Sequence, residues 1–189
     1  MNVARILYPV KVLGPGERIG IWVTGCNRGC KGCSNPELWE RRPECEVSVK
    51  EIYKLICHLT ESHHVDGFTI SGGDPMLQAK ELSELVDQIK SISDDILVYT
   101  GYQIEELRDS PDPSVTHLLS SIAVLIDGPY IEELNDNTVL RGSSNQRIHI
   151  LSIAYRDVYN HYLTTCHNQI QNFSTSDGIV SVGIHHPSF

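Results

Sequence analysis

No run of about 18 uncharged apolar residues, the length a helix needs to cross a bilayer, occurs in this sequence. The opening residues Met1-Asn2-Val3-Ala4-Arg5 lack the apolar stretch and cleavage site of a secretory leader, so the expected location is the cytoplasm. Basic charge is also scarce. Fifteen Lys and Arg stand against 24 Asp and Glu, a net charge of -9, so long-range attraction to a phosphate backbone or an anionic membrane is not expected to drive binding. Six cysteines in 189 residues are too few for a disulfide scaffold, and in a reducing compartment a tight group of them points instead to metal or redox chemistry. Internal repeats and low-complexity tracts are missing too. What remains, 40% apolar and 21% charged with a mean hydropathy of -0.18, describes a globular chain able to build one sizeable core.

Punctuation and periodicity then divide the chain. After the turn Gly14-Pro15-Gly16, Ile19 to Val23 reads as a buried strand running into a cysteine loop at Gly25. Ser48-Val49-Lys50-Glu51 fits a capping box, and Ile52, Leu55, Ile56 and Leu59 follow as one helical stripe ending near Ser62. Gly67 to Ile70 is a short strand stopped by Ser71-Gly72-Gly73-Asp74-Pro75, with a second helical stripe at Leu82, Leu85, Val86 and Ile89. Ile96 to Tyr99 is a third strand. Short helices at Ile104 to Leu107 and Pro113 to Ser120 precede a fourth strand, Ile122 to Ile126, halted by Asp127-Gly128-Pro129.

Repeated β-then-α order with continuous apolar strands calls for a mostly parallel sheet with helices outside, and α/β folds place ligands at the strands' C-terminal ends. About six strands fit. Residues 1–149 form the expected compact core and 150–189 a C-terminal extension packed on the same single domain. Within the extension, Tyr155 to Cys166 is a possible helix, Asn168 to Asp177 a polar loop, and Gly178 to Ile184 an edge strand.

The chemistry concentrates in Cys26-Asn27-Arg28-Gly29-Cys30-Lys31-Gly32-Cys33, a C-x₃-C-x₂-C loop. Three thiolates are soft donors that suit zinc or an iron–sulfur cluster, but a closed structural site wants four ligands. Zinc could recruit His63, His64 or Cys45. A four-iron cluster held by three cysteines would leave one iron open to a substrate or cofactor. Cys57 and Cys166 read as packing or incidental thiols.

The C-x₃-C-x₂-C loop, the Ser-Gly-Gly-Asp-Pro turn after the next strand and the βα order resemble the radical S-adenosylmethionine (SAM) superfamily. Further blocks resemble its anaerobic ribonucleotide-reductase activating proteins: Ser34-Asn35-Pro36-Glu37-Leu38-Trp39, Tyr99-Thr100-Gly101-Tyr102, Ile126-Asp127-Gly128-Pro129-Tyr130 and Arg141-Gly142-Ser143-Ser144-Asn145-Gln146. The likeness runs from about Tyr8 to His149. It implies a partial (βα)6-type barrel and a [4Fe-4S] cluster on Cys26, Cys30 and Cys33, with SAM on the open iron. It also implies reductive cleavage of SAM to a 5′-deoxyadenosyl radical, which takes hydrogen from a glycine of a partner glycyl radical enzyme, and a flavodoxin- or ferredoxin-type electron donor. Gly32 stands where many superfamily members carry an aromatic residue, a trait of the activating subgroup.

By the same resemblance Gly72, Gly73 and Asp74 would hold the methionine end of SAM. Gly permits close backbone approach, and Asp74 can accept from an ammonium group. Asp127, at the end of a strand on the presumed active rim, and Arg141 are candidate catalytic residues. Ser143, Ser144 and Asn145 are candidate cofactor contacts. Two other functions remain open: a radical SAM enzyme acting on a peptide or small molecule, and a non-catalytic zinc or iron–sulfur interaction module.

Overall fold

The computed structural model describes residues 1–176 and 178–185. Six strands form one sheet in chain order: β1 (Val3–Val10), β2 (Arg18–Val23), β3 (Gly67–Gly72), β4 (Ile96–Tyr99), β5 (Val124–Asp127) and β6 (Arg147–Ile150). The fold is α/β. Strands β2 to β5 run parallel, whereas β1 and β6 close the two edges antiparallel. No helix among the described residues is long and apolar enough to cross a membrane.

Helices α1 (Val49–Thr60), α2 (Ala79–Ile89), α3 (Ile104–Arg108) and α4 (Pro113–Ser121) connect the parallel strands. The expected capping box forms at α1: Glu51 N–H donates to Ser48 Oγ at 3.2 Å, and Ser48 N–H to Glu51 Oε2 at 3.1 Å. Alternation along the strands sends Ile19, Ile21 and Val23, Phe68 and Ile70, and Ile96 and Val98 into a core with Ile56, Leu82, Leu85 and Leu118 of these helices. One face of the sheet is thereby covered.

The alternate positions need a second cover, and the chain after β6 provides it. Helix α5 (Arg156–Thr165) buries Tyr159 among Leu97, Val124 and Ile126. The hairpin of β7 (Ile170–Thr175) and β8 (Gly178–Gly183) packs Phe173, Val180 and Val182 against Val10, Leu13 and Trp22. Ile170 to Thr175 corrects the expected polar loop; Asp177 lies outside the described residues. The strand was hidden because its inward positions are Gln171 and Phe173, one polar and one aromatic, so no apolar alternation marks it. Gln171 fastens the hairpin to the sheet edge, donating to Pro9 O at 2.7 Å and accepting from Lys11 N–H at 2.9 Å.

Arg18 is fully buried at the N-terminal end of β2. Its guanidinium bonds Asp95 Oδ2 at 2.6 Å, Thr69 Oγ1 at 2.7 Å and Phe68 O at 2.6 Å, so a charge that would be costly alone is matched by fixed acceptors. Tyr159 Oη completes the cluster, donating to Asp95 Oδ1 at 2.6 Å. Through that bond α5 is locked to the sheet.

Candidate functional site

At the C-terminal ends of the parallel strands a pocket of about 160 Å³ opens. Cys26, Cys30 and Cys33 line it together with Gly72, Gly73 and Asp74, and all three thiols are free. Two turns from different strands are therefore stitched into one site. Gly73 N–H donates to Val23 O at 2.8 Å, Asp74 N–H to Gly25 O at 2.7 Å, and Cys26 N–H to Trp39 O at 2.7 Å. The glycines are needed for this junction itself. Gly72 has φ +112°, and a Cβ there would meet Val23 O at 2.3 Å; one on Gly73 would meet Gly25 O at 2.3 Å.

Asp74 is buried and braces the junction. Oδ1 accepts from Thr100 Oγ1 at 2.8 Å and from Met76 N–H at 3.1 Å, and Oδ2 accepts from Gly101 N–H at 3.0 Å. Burial pushes its carboxyl above the ordinary value, against the pull of these three bonds and of Arg28. A carboxylate offers about four lone-pair directions, so little capacity is left for a ligand. Burial likewise pushes the Cys26 thiol up, opposed by the Arg28 and Gly29 amides that bond it.

The cysteine loop is held from both sides. Lys31 pairs with Glu132 at 2.9 Å and Glu133 at 3.1 Å, and the Arg28 guanidinium stacks 4.2 Å from the Tyr102 ring centroid. Gly32 has φ +71°, a left-handed conformation that a side chain would strain, and a Cβ there would displace the Glu132 carboxylate, 2.7 Å away, that pairs with Lys31.

The remaining candidates lie elsewhere. Asp127 is 1% exposed and does not line the pocket. It accepts from Ile104 N–H at the start of α3 at 2.8 Å, pairs with Arg147 at 2.6 Å, and approaches His149 Nε2 at 3.0 Å. Arg141 pairs with Asp136 at 2.6 Å. Ser143 Oγ accepts from Ile131 N–H, Ser144 N–H donates to Leu134 O, and Asn145 Nδ2 donates to Pro129 O. These residues brace the rim from behind the pocket wall.

Gln146 was not singled out in sequence, yet it lines the pocket and ties its loops, donating to Gly128 O at 2.9 Å and accepting from Gly142 N–H at 2.8 Å. Tyr99, Thr100 and Gly128 also reach the pocket, as strand ends in an α/β sheet should. Ile184 and His185 of the extension complete one wall, and no sequence signal pointed to them.

His63 and His64 sit in the loop before β3, beside Tyr8, at the other end of the strands from the thiols. Cys45 borders a separate groove with Val3 and Glu44. Among the described residues, no three His, Cys, Asp or Glu side chains close on a single metal ion. The donor set that does face one recess is three free thiols, which suits a cluster with one iron open.

Comparison with known proteins agrees with that donor set. The family described as a 4Fe-4S single cluster domain matches residues 12–149. Anaerobic ribonucleoside-triphosphate reductase-activating proteins are similar along most of the chain. That of Enterobacteria phage T4 is 36% identical over 153 residues, covering 78% of this chain and 93% of its own. Those of Vibrio cholerae serotype O1 and Salmonella typhi are 38% and 34% identical, covering 75% and 76% of this chain and 94% and 96% of theirs. The chain belongs to this family of activating proteins. An iron–sulfur cluster is the cofactor this membership supports, and an activating enzyme is the class of activity. The family match stops at residue 149, and these relatives are nearly used up where about a quarter of this chain is left over. Helix α5 and the β7–β8 hairpin lie beyond that match.

Proposed function

We propose that the chain is a radical SAM enzyme that activates an anaerobic ribonucleoside-triphosphate reductase by taking hydrogen from a glycine of that partner. The observation that carries the reading is the convergence of three free thiols and the Gly72-Gly73-Asp74 turn on one pocket at the strands' C-terminal ends. Cys26, Cys30 and Cys33 would hold a [4Fe-4S] cluster, and the sheet with its helices would serve as a partial barrel of the radical SAM type. When bound, the cluster and SAM supply the one-electron chemistry that generates a 5′-deoxyadenosyl radical.

The chain's own part is positioning and protection. The Lys31 pairs and the stitched Gly25 and Asp74 backbones fix the cysteine loop, and the one acceptor direction that three hydrogen bonds leave on Asp74 would serve the SAM ammonium. Tyr99, Tyr130 and Gln146 line the same pocket and would help to keep bulk water from the reacting centre. Asp127 and Arg141 act by bracing the rim. The electron would come from a flavodoxin- or ferredoxin-type donor, and the setting would be the cytoplasm.

The test is anaerobic. Reconstituted protein should carry about four irons per chain, give a reduced EPR signal that changes on adding SAM, and produce a glycyl signal on the reductase of the same genome. Cys30→Ala should lose the SAM-responsive signal. A colourless zinc protein would sink the reading, as would hydrogen transfer to 5′-deoxyadenosine from a small molecule with no radical on the reductase.

A further inference from the structure

The extension does more than cover the sheet. Its hairpin is fastened at two points, one beside the start of β2 and one at the site mouth. Gln171 grips β1, and Asn135 Nδ2 on the opposite loop donates to His185 O at 2.8 Å. Between these anchors, beside the thiol pocket, lies a recess of about 110 Å³. Its floor is Trp22, Ser71 and Tyr99 of the sheet, one side is Asn35 of the cysteine loop, and its outer wall is Ile184 and His185. Ser34, Asn35, Ser71, Tyr99, Ile184 and His185 border recess and pocket alike, so the two are continuous.

Size and lining limit what can enter. A cavity of about 150 Å³ takes a benzene ring. The smaller recess takes a peptide unit, and a large side chain there would have to extend into the adjoining pocket beside the thiols. Hydroxyl and amide groups of Ser34, Asn35, Ser71 and Ser181 suit main-chain N–H and C=O groups. The outer wall belongs to a segment beyond the matched family region.

We propose that the β7–β8 hairpin, through Ile184 and His185, is a specificity wall that restricts the approach beside the thiols to a side-chain-free, extended peptide segment of the partner. This rests on the activating function proposed above and deepens it. His185 is exposed and Ile184 is half-buried against the Val10, Leu13 and Trp22 cluster, so shortening them widens the slot at a modest cost in packing. The wall then loses its discrimination while the sheet, the thiol loop and the Gln171 clamp stay in place.

The experiment compares binding of two synthetic peptides spanning the glycine site of the reductase from the same genome, one with its glycine and one with alanine there. Affinities are measured by titration on cluster-free and on cluster-loaded protein. An added methyl group costs about ten- to two-hundredfold where a pocket is closely fitted. The wild-type protein should prefer the glycine peptide by at least about tenfold, and the Ile184→Ala/His185→Ala protein by no more than about threefold while still folded at the assay temperature by circular dichroism; His185→Ala alone, which leaves the Ile184 packing intact, should fall between the two. Equal preference in both proteins, or none in the wild type, overturns the wall and leaves the activating function standing. Failure of the wild type to bind either peptide or the intact reductase overturns both.

Discussion

Thr100 Oγ1 donates to Asp74 Oδ1 at 2.8 Å, joining the turn after β4 to the turn after β3. With the Gly101 and Met76 amides on the same carboxylate, this bond fixes how the two strand ends face the thiols. Asp74→Ala strips three donors of their acceptor, and one charge-assisted bond to a ligand is lost as well. SAM affinity of cluster-loaded protein should fall about ten- to a hundredfold, the equivalent of about 1.5–3 kcal/mol. Thr100→Val removes a single bond of that set, so its loss should be about tenfold at most. Titration with SAM below the melting temperature separates the two. An unchanged dissociation constant in Asp74→Ala would leave the carboxylate a purely structural brace.

Much of this was legible beforehand, and the reasons are local. The capping box, the turn glycines and the apolar stripes are short-range signals, and they place α1, α2, β3 and β4 within a residue or two. The thiol loop and the Gly-Gly-Asp turn were found because spacing and order carry their chemistry. Long-range pairings were not legible. Asp127 is a carboxylate on the expected rim, and nothing near it in sequence says that Ile104, Arg147 and His149 consume it. The antiparallel edges were missed for the same reason: strand direction is decided by partners far along the chain. Nor does any pattern announce that Ile184 and His185 return to the pocket.

Asp127 should contribute stability at neutral pH that acid removes. Burial by itself would push its carboxyl up, but Arg147, the Ile104 N–H and His149 together hold it below the ordinary carboxylate value. A depressed folded-state pKa means its stabilisation is fully present above the ordinary value of 3.8 and disappears as pH falls through the lower, folded one. Asp127→Asn should therefore lower stability at neutral pH and shrink the difference from wild type at the acid end. Urea melts at pH 7 and near pH 3 check the sign. A gap that widened on acidification would contradict it.

Tyr159 tests how far the extension is part of the fold. A hydrogen bond to a charged group contributes about 1.5–3 kcal/mol, so Tyr159→Phe should lower the melting temperature by about 3–12 °C for a chain of this size. Arg18→Met is harsher. It leaves the buried Asp95 without its cation, at a cost of about 3–5 kcal/mol. Calorimetry should show one cooperative transition in wild type and Tyr159→Phe. A Tyr159→Phe protein as stable as wild type would mean the bond to Asp95 contributes nothing net.

The glycine junction gives the sharpest geometric test, because two glycines of the same region differ in what surrounds them. A Cβ on Gly73 would lie 2.3 Å from Gly25 O and 2.9 Å from Leu38 O, both backbone atoms that cannot rotate away. Its φ is outside the left-handed region, so the constraint is space alone. Gly29, inside the cysteine loop, has φ +58° but nothing within 4 Å of its Cβ position. Alanine there pays only the left-handed conformation, about 1–2 kcal/mol. Alanine at Gly73 must force the root of the thiol loop off the turn, breaking the bonds from Gly73 N–H to Val23 O and from Asp74 N–H to Gly25 O. Overpacking of this kind costs about 1–3 kcal/mol, and here the displaced element carries Cys26. After anaerobic reconstitution, Gly73→Ala should hold well under half the wild-type iron per chain although all three thiols remain, and Gly29→Ala should hold nearly all of it. Wild-type iron content in Gly73→Ala would mean that the junction between the turn and the thiol loop is not what positions the cysteines.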